Sequence, residues 1–410
     1  MRSCSAVALA ALLAAIGTSA KAQHAGHSVD DEMSAPWSAG ARAVGIVTRA
    51  EPALGGRSLT EGYLAQPLVW GRLSAWRSHI DLMTTVQIEG LTLKRGELNT
   101  GIYGEGYVDR RHPHTYLHEL MGSLNASLGM TRASLSFGKG YVPFGSDDPM
   151  MRPFAAFPVN HHLSQILERL IAIGSVRRSV LLLEAATFNG DEPVSPTSAP
   201  NARRFADSWS VRATLFPADG AEVAASHADV ASPEDRAGNG SRQRKWNVLG
   251  RWESPGIRAV HKYALVEWSA SDEINRGQRS FRLTSLLGEA EVSARGSAVA
   301  LRLERSIRPE EERLLDPFRS VFPNADVQIL GRTRFSIATV AVRHALPAIG
   351  FLGAEPFAEV SMIDAEAVDE PALFVPAEFY GSTRLWNLSV GVRVRAGAMM
   401  HRMGRYGAGM

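Results

Sequence analysis

The sequence predicts an all-β chain: a transmembrane, antiparallel, up-and-down β-barrel of about 16 strands. Three observations carry that expectation. Short segments alternate apolar and polar residues with period two along most of the chain. Their connections alternate between tight Gly/Pro/Asp turns and long polar stretches. The faces opposite the apolar ones carry Arg, Glu, Asn and Ser, which a sandwich core does not accommodate but a watery lumen does.

The chain opens like a secretion signal. Arg2 is followed by the apolar run Ala6–Gly17 and by Ala20-Lys21-Ala22, so cleavage is expected before Gln23 and residues 1–22 are assigned to a signal peptide. The run is too short for a membrane-spanning helix, which needs about 20 apolar residues. Cys4, the one cysteine in the sequence, lies inside it, so the remaining chain has no disulfide to staple it. Residues 23–39, with His24, His27 and Met33, are expected to form a flexible polar leader; a plain disordered tail is the favoured reading, with a soft or borderline metal held by its histidines and methionine as the alternative. From Gly40 to Met410 no composition break or linker appears, so residues 40–410 are expected to form one barrel domain.

The strands follow in order. Leu82, Thr84 and Val86 alternate with Met83, Thr85 and Gln87, and Leu124, Ala126 and Leu128 with Asn125 and Ser127. In Thr131–Arg152, Ala133, Leu135 and Phe137 share one face and Arg132, Ser134 and Ser136 the other, before Gly-Lys-Gly and Pro-Phe-Gly open a long polar excursion. Leu167–Val176 and Val180–Phe188 are apolar on both faces, and Leu163–Ile173 also fits a helical stripe. Trp209, Val211, Ala213 and Leu215 alternate with Ser210, Arg212 and Thr214; Trp246, Val248 and Trp252 with Asn247 and Arg251. Val299, Leu301 and Leu303 bracket Ala300, Arg302 and Glu304, and Phe335, Ile337 and Thr339 bracket Arg334, Ser336 and Ala338. The clearest segment comes last: Trp386, Leu388, Val390, Val392 and Val394 against Asn387, Ser389, Gly391, Arg393 and Arg395. Long loops are expected at Asp191–Asn201, Ser232–Ser241, Arg308–Asp326 and Asp364–Phe379.

Placing the apolar faces against lipid puts Trp209, Trp246, Trp252, Phe335 and Trp386 near strand ends, where interfacial aromatics belong. An arginine at Val390 is then expected to be costly, and one at Ser389 nearly silent. The same phases turn Arg212, Arg251, Arg302, Arg334 and Arg393 inward as pore-lining residues, because an unpaired charge in lipid is costly. Fixed lumen arginines favour anions, although Glu289, Glu291 and Glu304 dilute the effect. Many barrels end on an aromatic in the last strand, whereas this chain continues past it through Met399–Met403, with Tyr406 the nearest later aromatic.

Phe137-Gly138-Lys139 with Pro143-Phe144-Gly145 resembles the strand-and-loop segment of outer-membrane porins of the phosphate-selective porin O/P type, within the porin superfamily. Ile173-Gly174 and Ala185–Gly190, ending in Phe188-Asn189-Gly190, look like the hairpin that follows. The resemblance covers about residues 130–195. It implies a 16-stranded porin-like barrel with a passive pore, and a homotrimer, but does not carry phosphate selectivity, whose basic ladder does not align here.

The long segment after Phe144 supplies candidate constriction residues, Asp147, Asp148, Arg152, His161 and His162, whose opposed charges at a narrowing sort solutes by a transverse field; an ordinary surface loop is the alternative. His112, His114, His118 and Glu119 form the densest titratable cluster; Pro113 favours a plain turn there, and a divalent transition metal site is the alternative that the spacing allows. No Gly-x-Ser-x-Gly, phosphate loop or dinucleotide fingerprint occurs, which gives no support to an enzyme. The net charge of +2, with both signs interspersed, gives no argument for nucleic acid. The sequence therefore points to a channel in the outer membrane of a Gram-negative-type bacterium. It would contact outer-membrane lipid and pass small hydrophilic solutes with weak anion preference, with no cofactor required. The alternative is a copper- or zinc-handling barrel of the same membrane.

Overall fold

In the computed structural model the described residues are 36–53, 56–92, 115–146, 149–193, 195–255, 259–311, 329–369, 371–399 and 402–410. Sixteen strands close into one antiparallel barrel. They are β1 (Trp37–Glu51), β2 (Leu59–Ala75), β3 (Ile80–Gln87), β4 (Leu117–Leu128), β5 (Thr131–Gly140), β6 (Arg169–Arg178), β7 (Leu181–Phe188) and β8 (Ser208–Leu215). They continue with β9 (Ala221–Ala231), β10 (Arg242–Glu253), β11 (Val260–Asn275), β12 (Gln278–Ala294), β13 (Ser297–Glu311), β14 (Ile329–His344), β15 (Leu352–Ala367) and β16 (Arg384–Gly397). Each strand pairs with its neighbours in the chain. The barrel is sealed where β16 meets β1, from Gly40 opposite Gly397 to Glu51 opposite Trp386. Closure leaves no sheet edge, the condition for carrying strands through a membrane.

The barrel starts at Trp37, ahead of the expected boundary at Gly40; the expected signal peptide, and the leader with His24, His27 and Met33, lie outside the described residues. One end of the barrel has the short turns, 76–79, 129–130, 179–180, 216–220, 254–259, 295–296 and 345–351. At Arg295-Gly296 both residues have positive φ, 50° and 81°, the twist-matched two-residue hairpin. The other end has the long connections, including those from β5 to β6, β7 to β8 and β15 to β16, interrupted by the tight turn at Arg276-Gly277. The two-faced apolar stretch at 163–173 is only briefly helical, at His161–Ser164, before β6 begins.

The alternation holds around most of the wall. On β13, Val299, Leu301 and Leu303 are exposed outward, and Ala300, Arg302 and Glu304 between them are buried inward. On β8, Trp209, Val211 and Leu215 are exposed, and Ser208, Ser210, Arg212 and Thr214 are buried. Trp209 and Trp386 lie toward the long-loop end, Trp37, Trp76 and Trp252 toward the short-turn end, as two aromatic belts require.

On β14 the expected phase is reversed. Phe335 is 0% exposed and lies inside with Thr333, Ile337 and Thr339, while Val340 and Val342 face out. Arg334 therefore belongs to the outer face near the long-loop end, 3.5 Å from Glu366, and does not line the lumen. The cause is an apolar cluster inside that end of the barrel, where Phe335 and Ile337 pack on Val159, Ile363, Phe374, Tyr380 and Leu385. There the inner face is the greasier one, so apolar residues no longer mark lipid.

A second correction concerns Ser389. It is 1% exposed, and its hydroxyl lies 2.8 Å from that of Thr48 across the closing seam. An arginine there overfills a packed interior rather than entering open water, so it is not silent. Val390 points outward and is half exposed. Urea unfolding in lipid vesicles should show Val390→Arg losing roughly 2–4 kcal/mol if it sits near the bilayer midplane. Ser389→Ala, which removes one neutral hydrogen bond, should lose about 1 kcal/mol.

Candidate functional site

The interior of the barrel is the candidate site, and its walls are dense with charge. Two segments enter it: the connection from β5 to β6, residues 141–168, and residues 402–410 beyond β16.

The first crosses the lumen. Its apolar side chains pack successively along the inner wall: Met150 and Phe157 on Leu68 and Trp70, Ala155 on Val44 and Ile46, Phe154 on Ala300 and Ala341, and Val159 on Phe335. The Pro-Phe-Gly motif sets its entry. Phe144 is buried, and Gly145 has φ of 65° with the Ser164 carbonyl where a Cβ would stand, 1.7 Å away, so a side chain does not fit. In the following hairpin Asn189 accepts from the Leu170 amide at 2.7 Å and donates to the Asp191 carbonyl at 2.9 Å. Both segments of the family resemblance thus mark places where the chain turns tightly at the long-loop end.

A non-helical backbone inside a barrel must find hydrogen-bond partners in the wall. The wall supplies them with acidic and basic side chains. Glu359 of β15 accepts from the amides of Ala155 and Ala156 at 2.5 and 3.1 Å. Glu304 of β13 accepts from Val159 at 2.8 Å, and Glu267 of β11 from Ser146 at 3.1 Å. In the opposite sense Arg302 donates to the Ala156 carbonyl at 2.9 Å, Arg343 to Pro153 at 3.1 Å, and Lys245 to His162 at 2.7 Å.

The inward arginines are also paired with carboxylates. Arg302 lies 2.8 Å from Glu289 and its guanidinium stacks on Phe154 at 4.2 Å. Arg212 makes a two-pronged contact with Glu184 at 2.6 and 2.9 Å. Arg393 meets Glu355 at 2.8 Å, and Arg343 also reaches Glu355. Arg251 pairs with Glu253 and lies over the Tyr263 ring at 5.5 Å. Of the five arginines expected inward, four are on the inner face and Arg334 is not.

Of the expected constriction residues, Arg152 and His161 are buried within the loop. Arg152 bridges to Glu267 and Glu289 at 3.3 and 3.6 Å, tying loop to wall. His161 stacks on His162 at 4.1 Å and on Phe157 at 5.4 Å. Asp147 and Asp148 lie outside the described residues.

Among the expected metal ligands, His112 and His114 lie outside the described residues. His118 and Glu119, though adjacent, both point inward. The β3–β4 register skips from Thr85 opposite Glu119 to Val86 opposite Leu117, a bulge that removes His118 from the ladder. Its Nδ1 lies 2.6 Å from Glu168 and its Nε2 against the Tyr141 hydroxyl. Glu168 also accepts from Thr115 and meets Lys139 at 3.2 Å. Both ring nitrogens are thus engaged, and among the described residues no trio of His, Asp and Glu gathers as metal ligands do.

The second segment, residues 402–410, is a lumen element that no periodic pattern in the sequence marks. Arg402 and Arg405 both bind Glu222 of β9, Arg402 at 2.9 Å. The Tyr406 hydroxyl donates to Glu119 at 2.6 Å and accepts from the Tyr141 amide at 3.0 Å. Burial, with the Glu119 carboxylate beside it, holds this phenol well above its usual range, so it stays a donor. Its sequence signal is modest: two arginines and a tyrosine among Gly404, Gly407 and Gly409, beyond a strand that could have ended the barrel.

No protein-family model and no curated protein sequence matches the chain. Solved structures do. An anion-selective porin from Comamonas acidovorans superposes with TM-score 0.51 at 7% identity, over 88% of this chain and 99% of that one. OprB of Pseudomonas putida superposes with TM-score 0.56 at 9% identity, over 90% and 96%. At such identities the likeness is one of fold: this chain has the closed 16-stranded barrel of outer-membrane porins.

Proposed function

We propose that the protein is an outer-membrane channel for passive diffusion of small hydrophilic solutes. The observation that supports this most is the combination of a closed barrel, apolar outside, with a charged inner face crossed by the loop between β5 and β6. That loop narrows the lumen at the position where solutes are sorted, and the likeness in fold to an anion-selective porin agrees with a channel. Residence in the outer membrane of a Gram-negative bacterium follows from the same architecture. The finer kinship with phosphate-selective porins rests on the motifs around Phe144 and Phe188, and the homotrimer on that kinship.

Ion preference in this reading is weak, with an anionic sign. Arg212, Arg302 and Arg393 each face a glutamate within 3 Å, so their fields are largely cancelled. What remains acts over about 10 Å at 0.1 M salt and fades at higher salt.

Planar-bilayer recording tests the channel directly: discrete conductance steps are expected, and a heat-modifiable, correctly folded barrel that passes no current contradicts the reading. Reversal potentials then test the charge balance. Glu355→Gln strips Arg343 and Arg393 of a shared counter-charge and should shift selectivity toward anions, whereas Arg393→Gln should shift it toward cations. Identical potentials in the two variants would place this pair away from the ion path.

The loop tether gives a further expectation. Glu359→Ala removes the acceptor for two loop amides and should lower stability by about 1–3 kcal/mol. Current fluctuations should rise as the loop loosens. A quiet record with unchanged stability would mean that the glutamate does not hold the loop.

A further inference from the structure

Residues 402–410 lie inside the barrel, across from the strand they follow. β16 borders β1, yet this segment packs on β4, β5, β6 and β7 and bonds to β9. We propose that residues 402–410 are a removable plug, seated across the lumen, that sets the aperture of the channel from within. The proposal rests on the channel reading above and adds to it a second narrowing element besides the loop between β5 and β6.

The seat is specific. Arg402 and Arg405 converge on one carboxylate, Glu222, near the short-turn end of β9. Tyr406 reaches Glu119 on β4, whose other oxygen accepts from Thr85 at 2.7 Å. The Ala408 amide donates to the Ser134 hydroxyl at 2.8 Å, and Arg177 of β6 donates to the Met410 carbonyl at 3.4 Å. Gly407 has φ of 53° and passes so close to Ser134 that a Cβ would stand 2.2 Å from its hydroxyl oxygen. The segment also touches the loop: the Tyr141 hydroxyl lies 3.5 Å from the Met403 sulfur, and Met403 packs with Phe157 and Trp70. Ser136 and Ser269 on the inner wall are 0% exposed, and Arg405 of the segment is 4% exposed.

The character of the seat is that of a releasable contact. It consists of charged and polar bonds to the wall plus two methionines and one tyrosine, with no strand pairing. The barrel ladder is complete at Gly397 without it. Removing the segment therefore leaves every strand pair in place and opens a path along β4–β9.

The test compares the full chain with a chain stopped after Ala398, both shown to fold by heat-modifiable migration and recorded in planar bilayers in the same salt. The truncated barrel should show a several-fold larger single-channel conductance. Equal conductance in the two overturns the plug while leaving the channel reading intact. Absence of current from both folded proteins overturns the channel reading and the plug with it. If the truncated chain does not fold, the variant Arg402→Gln/Arg405→Gln/Tyr406→Phe keeps the full length and carries the test. It should open to the larger level more often than the parent, and parental behaviour overturns the proposal. Placement is read independently with Ser134→Cys/Ala408→Cys, which should cross-link on mild oxidation in the folded barrel; failure to cross-link overturns the seat.

Discussion

The lumen is governed by the hydrogen bonds that hold irregular backbone against the barrel wall. The loop between β5 and β6 has only single helical turns, at Pro149–Met151 and His161–Ser164, so many of its amides and carbonyls look to the wall for partners. Glu267, Glu304 and Glu359 meet amides; Arg302, Arg343 and Lys245 meet carbonyls. Charged groups make such bonds roughly twice as strong as neutral ones, but they also need counter-charges when buried. The pairs Arg302–Glu289 and Arg152–Glu267 answer that second need. The density of inward Arg and Glu thus follows from holding a loop, before any solute enters the account.

This changes the meaning of the inner-face arginines. Taken strand by strand they resemble a ladder of positive charge. In three dimensions their partners come from neighbouring strands and from the loop, so the ladder is one of ion pairs. Glu355 between Arg343 and Arg393, and Glu289 between Arg302 and Arg152, show one carboxylate serving two cations. The net charge of the inner face then depends on small imbalances rather than on the count of arginines.

The barrel itself was legible in the sequence because lipid imposes a strict period on one face. Val299, Leu301 and Leu303 on β13 and Leu388, Val390 and Val392 on β16 carry that constraint plainly. Where the inside is also apolar the period loses its sign, as on β14, where Phe335 and Ile337 face the cluster around Tyr380 and Arg334 is displaced outward. The bulge that turns His118 inward beside Glu119 leaves no periodic trace, since it is a property of pairing with β3. The inner parity of Glu267 and Glu359 could be read once their strands were placed. Their partners on the loop could not, because nothing local links Glu359 to Ala155 across 204 positions of chain.

The seam between β1 and β16 has a consequence for the order of assembly. Twelve residue pairs, from Gly40–Gly397 to Glu51–Trp386, join the two strands farthest apart in the chain. Until they meet, β1 and β16 both carry open edges, and the loop and the segment after β16 face an incomplete wall. Such long-range pairing is slow because the intervening chain must first be confined. Hairpin pairs such as Glu184–Arg212 and Glu289–Arg302 form between strands that are adjacent in the chain, whereas the contacts of the loop and of the segment after β16 with distant strands await a complete wall.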